Sequence, residues 1–137
     1  SDEGKREAWE EGSIFHGLRS GIAKSGKQKL VELIEAWKAL CSDDLVFITG
    51  GQLPYSGTFK GPDDVIENCF SALAANFTNF TVKPVEMWES GDSVWVTFVA
   101  ESTQGRIEGA HLNKVEGGKV VYFRAFDDTQ TAAGLMS

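Results

Sequence analysis

Apolar residues recur at a helical period in three segments of the first half of the chain. The spacing predicts helices over residues 7–22 and 27–41 and a third helix that begins at Pro62. The fixed φ of proline suits a first helical position, and Asp63 and Asp64 complement the helix dipole there. In the second segment the apolar positions follow the i, i+3, i+4, i+7 rule, at Leu30, Leu33, Ile34, Trp37, Leu40 and Cys41. We therefore expect the second helix to face the core.

After Asn79 the pattern changes from helical spacing to alternation of apolar and polar residues. Glycine-containing turns divide this region into four predicted strands, over residues 80–88, 93–103, 106–115 and 119–127. Turns this short force antiparallel pairing, and Pro84 predicts an edge strand or a bulge because it cannot donate to the ladder. A further short strand is expected over 45–49. Helices followed by an antiparallel meander indicate an α+β domain in which one face of the sheet packs on the helices.

The composition, 42% hydrophobic and 24% charged, is typical of a single globular domain, expected to span residues 1–137. At this length one core can fold without metal or disulfide support. Cys41 and Cys69 have neither the spacing of a zinc site nor that of a redox pair, so we expect two buried thiols. The two histidines have no ligand-like spacing either. We therefore expect no metal and no cofactor.

The net charge of -7 argues against nucleic acid and against anionic membranes as partners, because no cluster of Lys and Arg is present. No apolar run approaches the roughly twenty residues of a membrane span. We expect a cytoplasmic protein. The chain starts at Ser1 without an initiator Met, which indicates processing, and a removed signal peptide stays an open alternative.

Three short motifs, together with the order of the elements, resemble a known family. They are SDDLVF at 42–47, GTFKG at 57–61 and GKVVYFRAFDD at 118–128. Over residues 28–129 the chain resembles the nuclear transport factor 2-like superfamily, in its branch of SnoaL-like polyketide cyclases and ketosteroid isomerases. The resemblance implies a cone-shaped α+β fold in which three N-terminal helices pack on a curved, mainly antiparallel sheet.

Three positions that hold catalytic carboxylates in this family hold other residues here. The resemblance aligns the general base of the isomerases with Thr49, and the acid that stabilises their oxyanion with Ala110. SnoaL-type cyclases and limonene epoxide hydrolases carry an Asp at the position of Ala125. Neither threonine nor alanine can exchange protons as a carboxylate does. A steroid isomerase, aldol-type cyclase or epoxide hydrolase of the known kinds is therefore not expected.

Alternation divides each strand into two faces, and the resemblance indicates which face lines the cone. The inward set is Trp95, Thr97, Val99, Glu101, Glu108, Ala110, Leu112, Phe123, Ala125 and Asp127. Its three acids lie at strand ends, and carboxylates that share a poorly hydrated site can divide acid and base roles. A slip of one residue would reverse the faces. In the alternative, Glu101 and Glu108 lie in water, paired with Arg106.

These faces suggest a site for a small, largely apolar molecule, with acid–base chemistry as an open part of the hypothesis. The catalytic candidates are Asp127 as acid or base, Glu108 as its coupled partner and Tyr55 as hydrogen-bond donor. His111 falls on the opposite face from Ala110, so we expect a structural or interface role for it. The ligand-binding candidates are Trp95, Thr97, Glu101, Leu112 and Phe123.

The vacant carboxylate positions leave a second hypothesis open, a non-catalytic dimeric carrier or assembly module of the same fold. A homodimer is expected in either case, because the outward faces of the strands are apolar and helices on the other side cannot cover them. The outward residues are Val94, Val96, Phe98, Ile107, Tyr122 and Phe126. The sequence alone does not decide between an enzyme and a carrier.

Overall fold

Helix α1 (Lys27–Leu40) opens the part of the chain that the computed structural model describes, residues 27–136. It confirms the second predicted helix. The chain passes directly into strand β1 (Cys41–Thr49), which pairs with the short strand β2 (Gly57–Lys60). The first predicted helix, over residues 7–22, lies outside the described residues.

The third predicted helix is confirmed as a continuous helical run that begins at Pro62. It consists of α2 (Pro62–Val65), a π-helical turn (Ile66–Phe70) and α3 (Ser71–Asn76). The buried face is formed by Val65, Cys69, Phe70 and Leu73, which belong to the predicted apolar stripe. Two of the three helices predicted to pack on the sheet thus lie in the described part of the chain.

A helix that the sequence did not predict, α4 (Thr129–Leu135), follows the last strand. Asp128 caps its first turn, because the Asp128 carboxylate accepts hydrogen bonds from the Thr131 backbone N–H at 3.0 Å and the Thr131 hydroxyl at 2.7 Å. Ala132 is fully buried against the core. The helix therefore belongs to the domain's packing.

The four predicted strands are confirmed as β3 (Thr81–Ser90), β4 (Ser93–Ser102), β5 (Gly105–Glu116) and β6 (Lys119–Asp127). The strand order is β2-β1-β6-β5-β4-β3, and only the β1–β6 pair is parallel in the described sheet. The expected mainly antiparallel α+β architecture is therefore present. Strand β3 lies at the edge, and its register shifts between Pro84 and Glu86, as proline predicts.

A one-residue bulge between β5 and β6 decides which side chains face the helices. Val115 pairs with Val120, whereas Lys114 pairs with Tyr122, so Val121 has no partner on β5. Since successive side chains point to opposite faces, the extra residue reverses the faces of β5 relative to those of β6. Strands β4 and β5 pair without irregularity, so the reversal extends to β4.

The inward faces predicted for β4 and β5 are therefore wrong, whereas the face predicted for β6 is confirmed. The buried inner residues of β4 and β5 are Val94, Val96, Phe98, Ala100, Ile107, His111 and Asn113. The outer face carries Trp95, Thr97, Glu101, Glu108 and Leu112 instead. Four members of the predicted dimer face consequently lie in the interior, namely Val94, Val96, Phe98 and Ile107.

Aromatic contacts join the helices to the inner face of the sheet. The Trp37 ring meets Phe70 edge-on, with centroids 5.1 Å apart, and Phe70 meets Phe47 at a right angle at 5.8 Å. Phe47 in turn stacks on Phe123 of β6 at 4.2 Å. Such pairs contribute roughly 0.5–1.5 kcal/mol each beyond the area they bury.

Substitution of Trp37 by Ala should destabilise the protein strongly, because the side chain is 9% exposed and anchors α1 to Phe70. We expect a loss of about 3–5 kcal/mol in the free energy of unfolding, measured by chemical denaturation. Ala36→Ser, at an exposed position of the same helix, should change it by only about 0.5 kcal/mol. An unchanged denaturation midpoint for Trp37→Ala would show that α1 does not pack as described.

Candidate functional site

A cavity of about 490 Å³, including its open mouth, lies between the inner face of the sheet and the helical run 62–76. Its walls come from every strand of the sheet except β2, together with the β1–β2 loop and the helical run 62–76. The lining residues are Phe47, Thr49, Tyr55, Cys69, Leu73, Phe80, Val82, Phe98, Ala100, Ile107, His111, Phe123, Ala125 and Asp127. Most of this wall is aromatic or aliphatic, so polar ligand groups have few partners in it.

A row of aromatic rings forms one part of the cavity wall. His111 stacks on Phe98 at 4.1 Å and lies 4.8 Å from Phe123, which stacks on Phe47. Burial lowers the pKa of His111 to about 3, because a charged imidazole would lose its hydration. The ring is therefore neutral at physiological pH and adds a polar edge without a charge.

Asp127, the last residue of β6, supplies the carboxyl group of the site. Its side chain is half-buried and lines the cavity. Burial raises the pKa of Asp127; its own backbone N–H opposes the change, and the neighbouring charge of Asp128 adds to it. Among the described residues no Lys, Arg or His forms an ion pair with this carboxylate. The part of the site that the structure describes thus holds an acid with no counter-ion.

Tyr55 projects into the cavity from the loop between β1 and β2. Only 4% of its surface is exposed, and its hydroxyl has no hydrogen-bond partner in residues 27–136. Burial raises the pKa of Tyr55, and the charge of Asp127 raises it further. The two groups therefore lie within electrostatic reach of each other, and the phenol is a donor at neutral pH.

The loop that carries Tyr55 is held at both ends by hydrogen bonds. The Thr49 hydroxyl donates to the Tyr55 carbonyl oxygen at 2.5 Å, and the Cys69 thiol donates to the same oxygen at 3.6 Å. The Ser56 hydroxyl donates to the Gly50 carbonyl oxygen at 2.7 Å. Thr49, which the resemblance aligns with a general base, therefore positions the backbone of Tyr55.

The structure brings together only part of the predicted site. Asp127, Tyr55 and Phe123 meet in the cavity, whereas Glu108 and Glu101 are on the outer face. The Glu108 carboxylate accepts a hydrogen bond from Arg106 at 3.0 Å, and Glu101 lies 3.7 Å from Lys83. The water-exposed alternative considered for these two acids is the observed arrangement, with Lys83 as the partner of Glu101.

The bulge at Val121 also removes Trp95, Thr97 and Leu112 from the cavity, because it reverses the strands that carry them. Trp95 is instead 37% exposed on the outer face. These three positions and Glu101 do not line the cavity to which the sequence assigned them. Their predicted contact with a ligand in the cone has no geometric support.

Sequence reasoning missed His111, Thr49 and Cys69 as cavity residues. One signal for the correct face was available, the glycine at 109 inside a predicted strand. A Cβ at Gly109 would lie 2.6 Å from the Phe126 carbonyl oxygen and 2.9 Å from the Phe98 ring. Glycine lets Phe98 lie over β5, and a close approach of this kind marks the packed face.

No group of three or more His, Cys, Asp or Glu residues is arranged to hold a metal ion in residues 27–136. Cys41 and Cys69 are buried free thiols, and burial raises the pKa of each to about 12. Neither is a thiolate at neutral pH, so neither is a ready nucleophile. The described helices include none long and apolar enough to cross a membrane.

The raised pKa of Asp127 predicts that this residue lowers stability at neutral pH. Its ionised form is penalised in the folded state, so stability falls as pH rises from the ordinary value of 3.8 through the folded pKa. In the Asp127→Asn variant the side-chain amide cannot ionise, so this penalty is absent. We expect the variant to melt at or above the wild-type temperature at pH 7, with the difference vanishing below about pH 3.8.

Asp128→Ala is the matched contrast to that variant. The hydrogen bonds from Thr131 lower the pKa of Asp128, so its carboxylate stabilises the fold at neutral pH and loses that effect in acid. Thermal melts between pH 3 and 8 should therefore move the two variants in opposite directions. Early melting of Asp127→Asn at pH 7 would instead indicate a structural ion pair for Asp127.

The sequence model of the SnoaL-like domain matches residues 32–123, more than half of the chain. A comparison with functionally curated proteins found no match. Several solved structures share the fold. One is an NTF2-like protein of Burkholderia thailandensis, at 24% identity over 76% of this chain and 85% of that one, with a TM-score of 0.68.

Two further structures align over nearly the whole chain. TerC, co-crystallised with polyporic acid, is 19% identical over 97% of this chain and 98% of its own, with a TM-score of 0.77. A putative SnoaL-like polyketide cyclase from Jannaschia is 15% identical over 98% and 92%, with a TM-score of 0.71. At these identities the likeness shows the fold alone. With the match of the domain model, it establishes that the chain belongs to the SnoaL-like family of NTF2-like proteins.

Proposed function

We propose that the cavity binds a small, largely apolar molecule and that Asp127 exchanges a proton with it. The reaction would be of the isomerase, cyclase, dehydratase or hydrolase type. One observation carries the proposal: the Asp127 carboxyl and the Tyr55 hydroxyl share one apolar cavity without a side-chain partner among the described residues. Polar groups that are partly withdrawn from water are stabilised by a hydrogen-bond partner, and one polar group of a ligand can serve both.

The environment of each polar group suits a different role. Burial raises the pKa of Asp127, so its carboxylate is a stronger base than one in water and its acid form persists to higher pH. Tyr55 stays protonated and donates a hydrogen bond. A proton taken from the ligand resides on the carboxylate oxygen and can return to a different atom. That transfer is the step common to the reaction types named above.

A non-catalytic ligand carrier is the second candidate function. It is favoured by Thr49 and Ala125, which stand where enzymes of the family hold carboxylates. Thr49 is also committed to the Tyr55 carbonyl, so it offers the ligand no free donor. In this reading the cavity and Asp127 serve binding alone.

A ligand screen with two variants tests the proposal. Compounds that raise the wild-type melting temperature are assayed for turnover with wild type, Asp127→Asn and Tyr55→Phe. We expect Asp127→Asn to remain folded and lose at least about a hundredfold in turnover, the usual contribution of a general acid or base. Glu108→Gln is the control, since that acid lies on the outer face with Arg106.

Binding without turnover in wild type would favour the carrier. An Asp127→Asn protein that binds and turns over ligand normally would exclude Asp127 from the site.

We further propose that two copies pair through the outer face of the sheet. Trp88, Trp95 and Phe126 are 51%, 37% and 45% exposed there. Trp88 lies directly opposite Trp95 across β3 and β4, and the Trp95 ring is 5.7 Å from Phe126. Contiguous exposed aromatics of this kind are typical of interfaces, and the same patch on two copies can close a twofold dimer.

Sedimentation measures this pairing directly. We expect wild type to sediment at micromolar concentration as twice the 14.9 kDa chain, and Trp95→Glu as a single chain, because two like charges would face each other across the twofold. Lys60→Glu, at an exposed position of β2, should leave the dimer intact. A monomeric wild type would contradict the proposal.

A further inference from the structure

We propose that the polar group of the ligand is a protonated amine, held by Asp127 and surrounded by the aromatic rings of the cavity. This inference rests on the proposed function, since it names the class of molecule that the cavity takes. It depends on three features of the cavity: the charges of its lining residues, its aromatic rings, and the titratable groups around the Asp127 carboxyl.

The described lining residues of the cavity carry negative charge and no positive charge. Among residues 27–136, Asp127 is the only acid that lines it, and neither Lys nor Arg does. No cation pairs with Asp127 among the described residues. A carboxylate or phosphate ligand would meet a like charge with nothing to neutralise it, which opposes binding in a poorly hydrated site. An ammonium group would supply the missing counter-ion.

Aromatic rings make up much of the remaining wall. Phe47, Phe80, Phe98 and Phe123 line the cavity together with the phenol ring of Tyr55. Aromatic faces carry a negative quadrupole that attracts cations, most strongly when both groups are removed from water. A carboxylate among several aromatic rings is a combination that recognises organic ammonium ions. The rings also bury the apolar body of such a ligand.

The titratable groups that face Asp127 leave its charge unopposed. Tyr55 on the β1–β2 loop, Cys69 on the π-helical turn and His111 on β5 are all uncharged at neutral pH, because burial disfavours their charged forms. Asp128, the next residue along the chain, is negative and exposed. With a net charge of -7, the protein as a whole attracts cations.

The proton transfer proposed for Asp127 then has a definite partner. An ammonium N–H bond breaks as a carboxyl O–H bond forms, and the electron pair stays on nitrogen. Return of the proton restores the ion pair. The Tyr55 hydroxyl can donate to the nitrogen while it is neutral.

Three probes of the same shape and different charge test the inference: 2-phenylethylamine, 2-phenylethanol and phenylacetate. Calorimetry at pH 7 should show the amine binding wild type at least about tenfold more tightly than the alcohol, with phenylacetate weakest. The ratio of amine to alcohol affinity should fall to about one in Asp127→Asn. Glu108→Gln should keep the wild-type ratio, because it removes a negative charge from the outer face.

A measurement on wild type alone gives a second test that needs no variant. Near pH 5, an amine favours ionised Asp127, so its binding should release protons, seen as a dependence of the binding heat on the buffer's ionisation enthalpy. A neutral ligand that accepts a hydrogen bond from protonated Asp127 would take protons up.

Alcohol binding equal to or tighter than amine binding, or proton uptake with the amine, would overturn the inference while the proposed cavity binding survives. Amine preference retained in Asp127→Asn would also overturn it. If none of the three probes bound and the ligand screen were also empty, the proposed function itself would fail with it.

Discussion

The unpaired residue Val121 is the constraint on which the site depends. Without it, β5 would present Glu108, Ala110 and Leu112 to the helices, and Glu108 would stand across from Asp127. With it, Gly109 pairs with Asp127, and His111 pairs with Ala125. One extra residue thus exchanges a second acid for a glycine and a neutral imidazole. In the described part of the chain, Asp127 is left as the single carboxyl of the cavity because of a backbone irregularity that spans roughly three residues of strand.

Desolvation then determines the chemical character of the cavity. The same burial that gives the stacked row of Phe98, His111, Phe123 and Phe47 its packing also keeps His111 neutral. It keeps the Cys69 thiol and the Tyr55 phenol protonated. Among the described lining residues, charge is therefore confined to Asp127 at the end of β6, whose partial exposure favours ionisation. The packing of the rings and the neutral state of the buried titratable groups therefore have the same cause, the exclusion of water from the cavity wall.

The secondary-structure elements were largely predictable from the sequence, whereas the inward faces of β4 and β5 were not. Helical spacing identified α1 and the run from Pro62, and alternation identified β3 to β6, because each pattern repeats over nine or more residues. The bulge lies in the run Val120–Tyr122, where every residue favours a strand and nothing marks the unpaired one. Asp127, Tyr55 and Phe123 do line the cavity, because the bulge reverses the faces of β5 and β4 and leaves the inward face of β6 after Val121 as predicted. Helix α4 was missed because it is short and depends on the Asp128 cap.

Asp127 stands two residues further along β6 than Ala125, the position that the resemblance aligns with the carboxylate of SnoaL-type cyclases. A shift of two residues preserves the inward face, since the side-chain period of a strand is two. It moves the acid by about 7 Å toward the strand end, because each residue rises roughly 3.4 Å. Ala125 then leaves room beside His111, while Thr49, no longer opposed by an acid, serves the Tyr55 loop. The vacant positions are therefore compatible with the acid–base role proposed for Asp127, in which its partners at the strand end would be Tyr55 and the ligand rather than a second carboxylate.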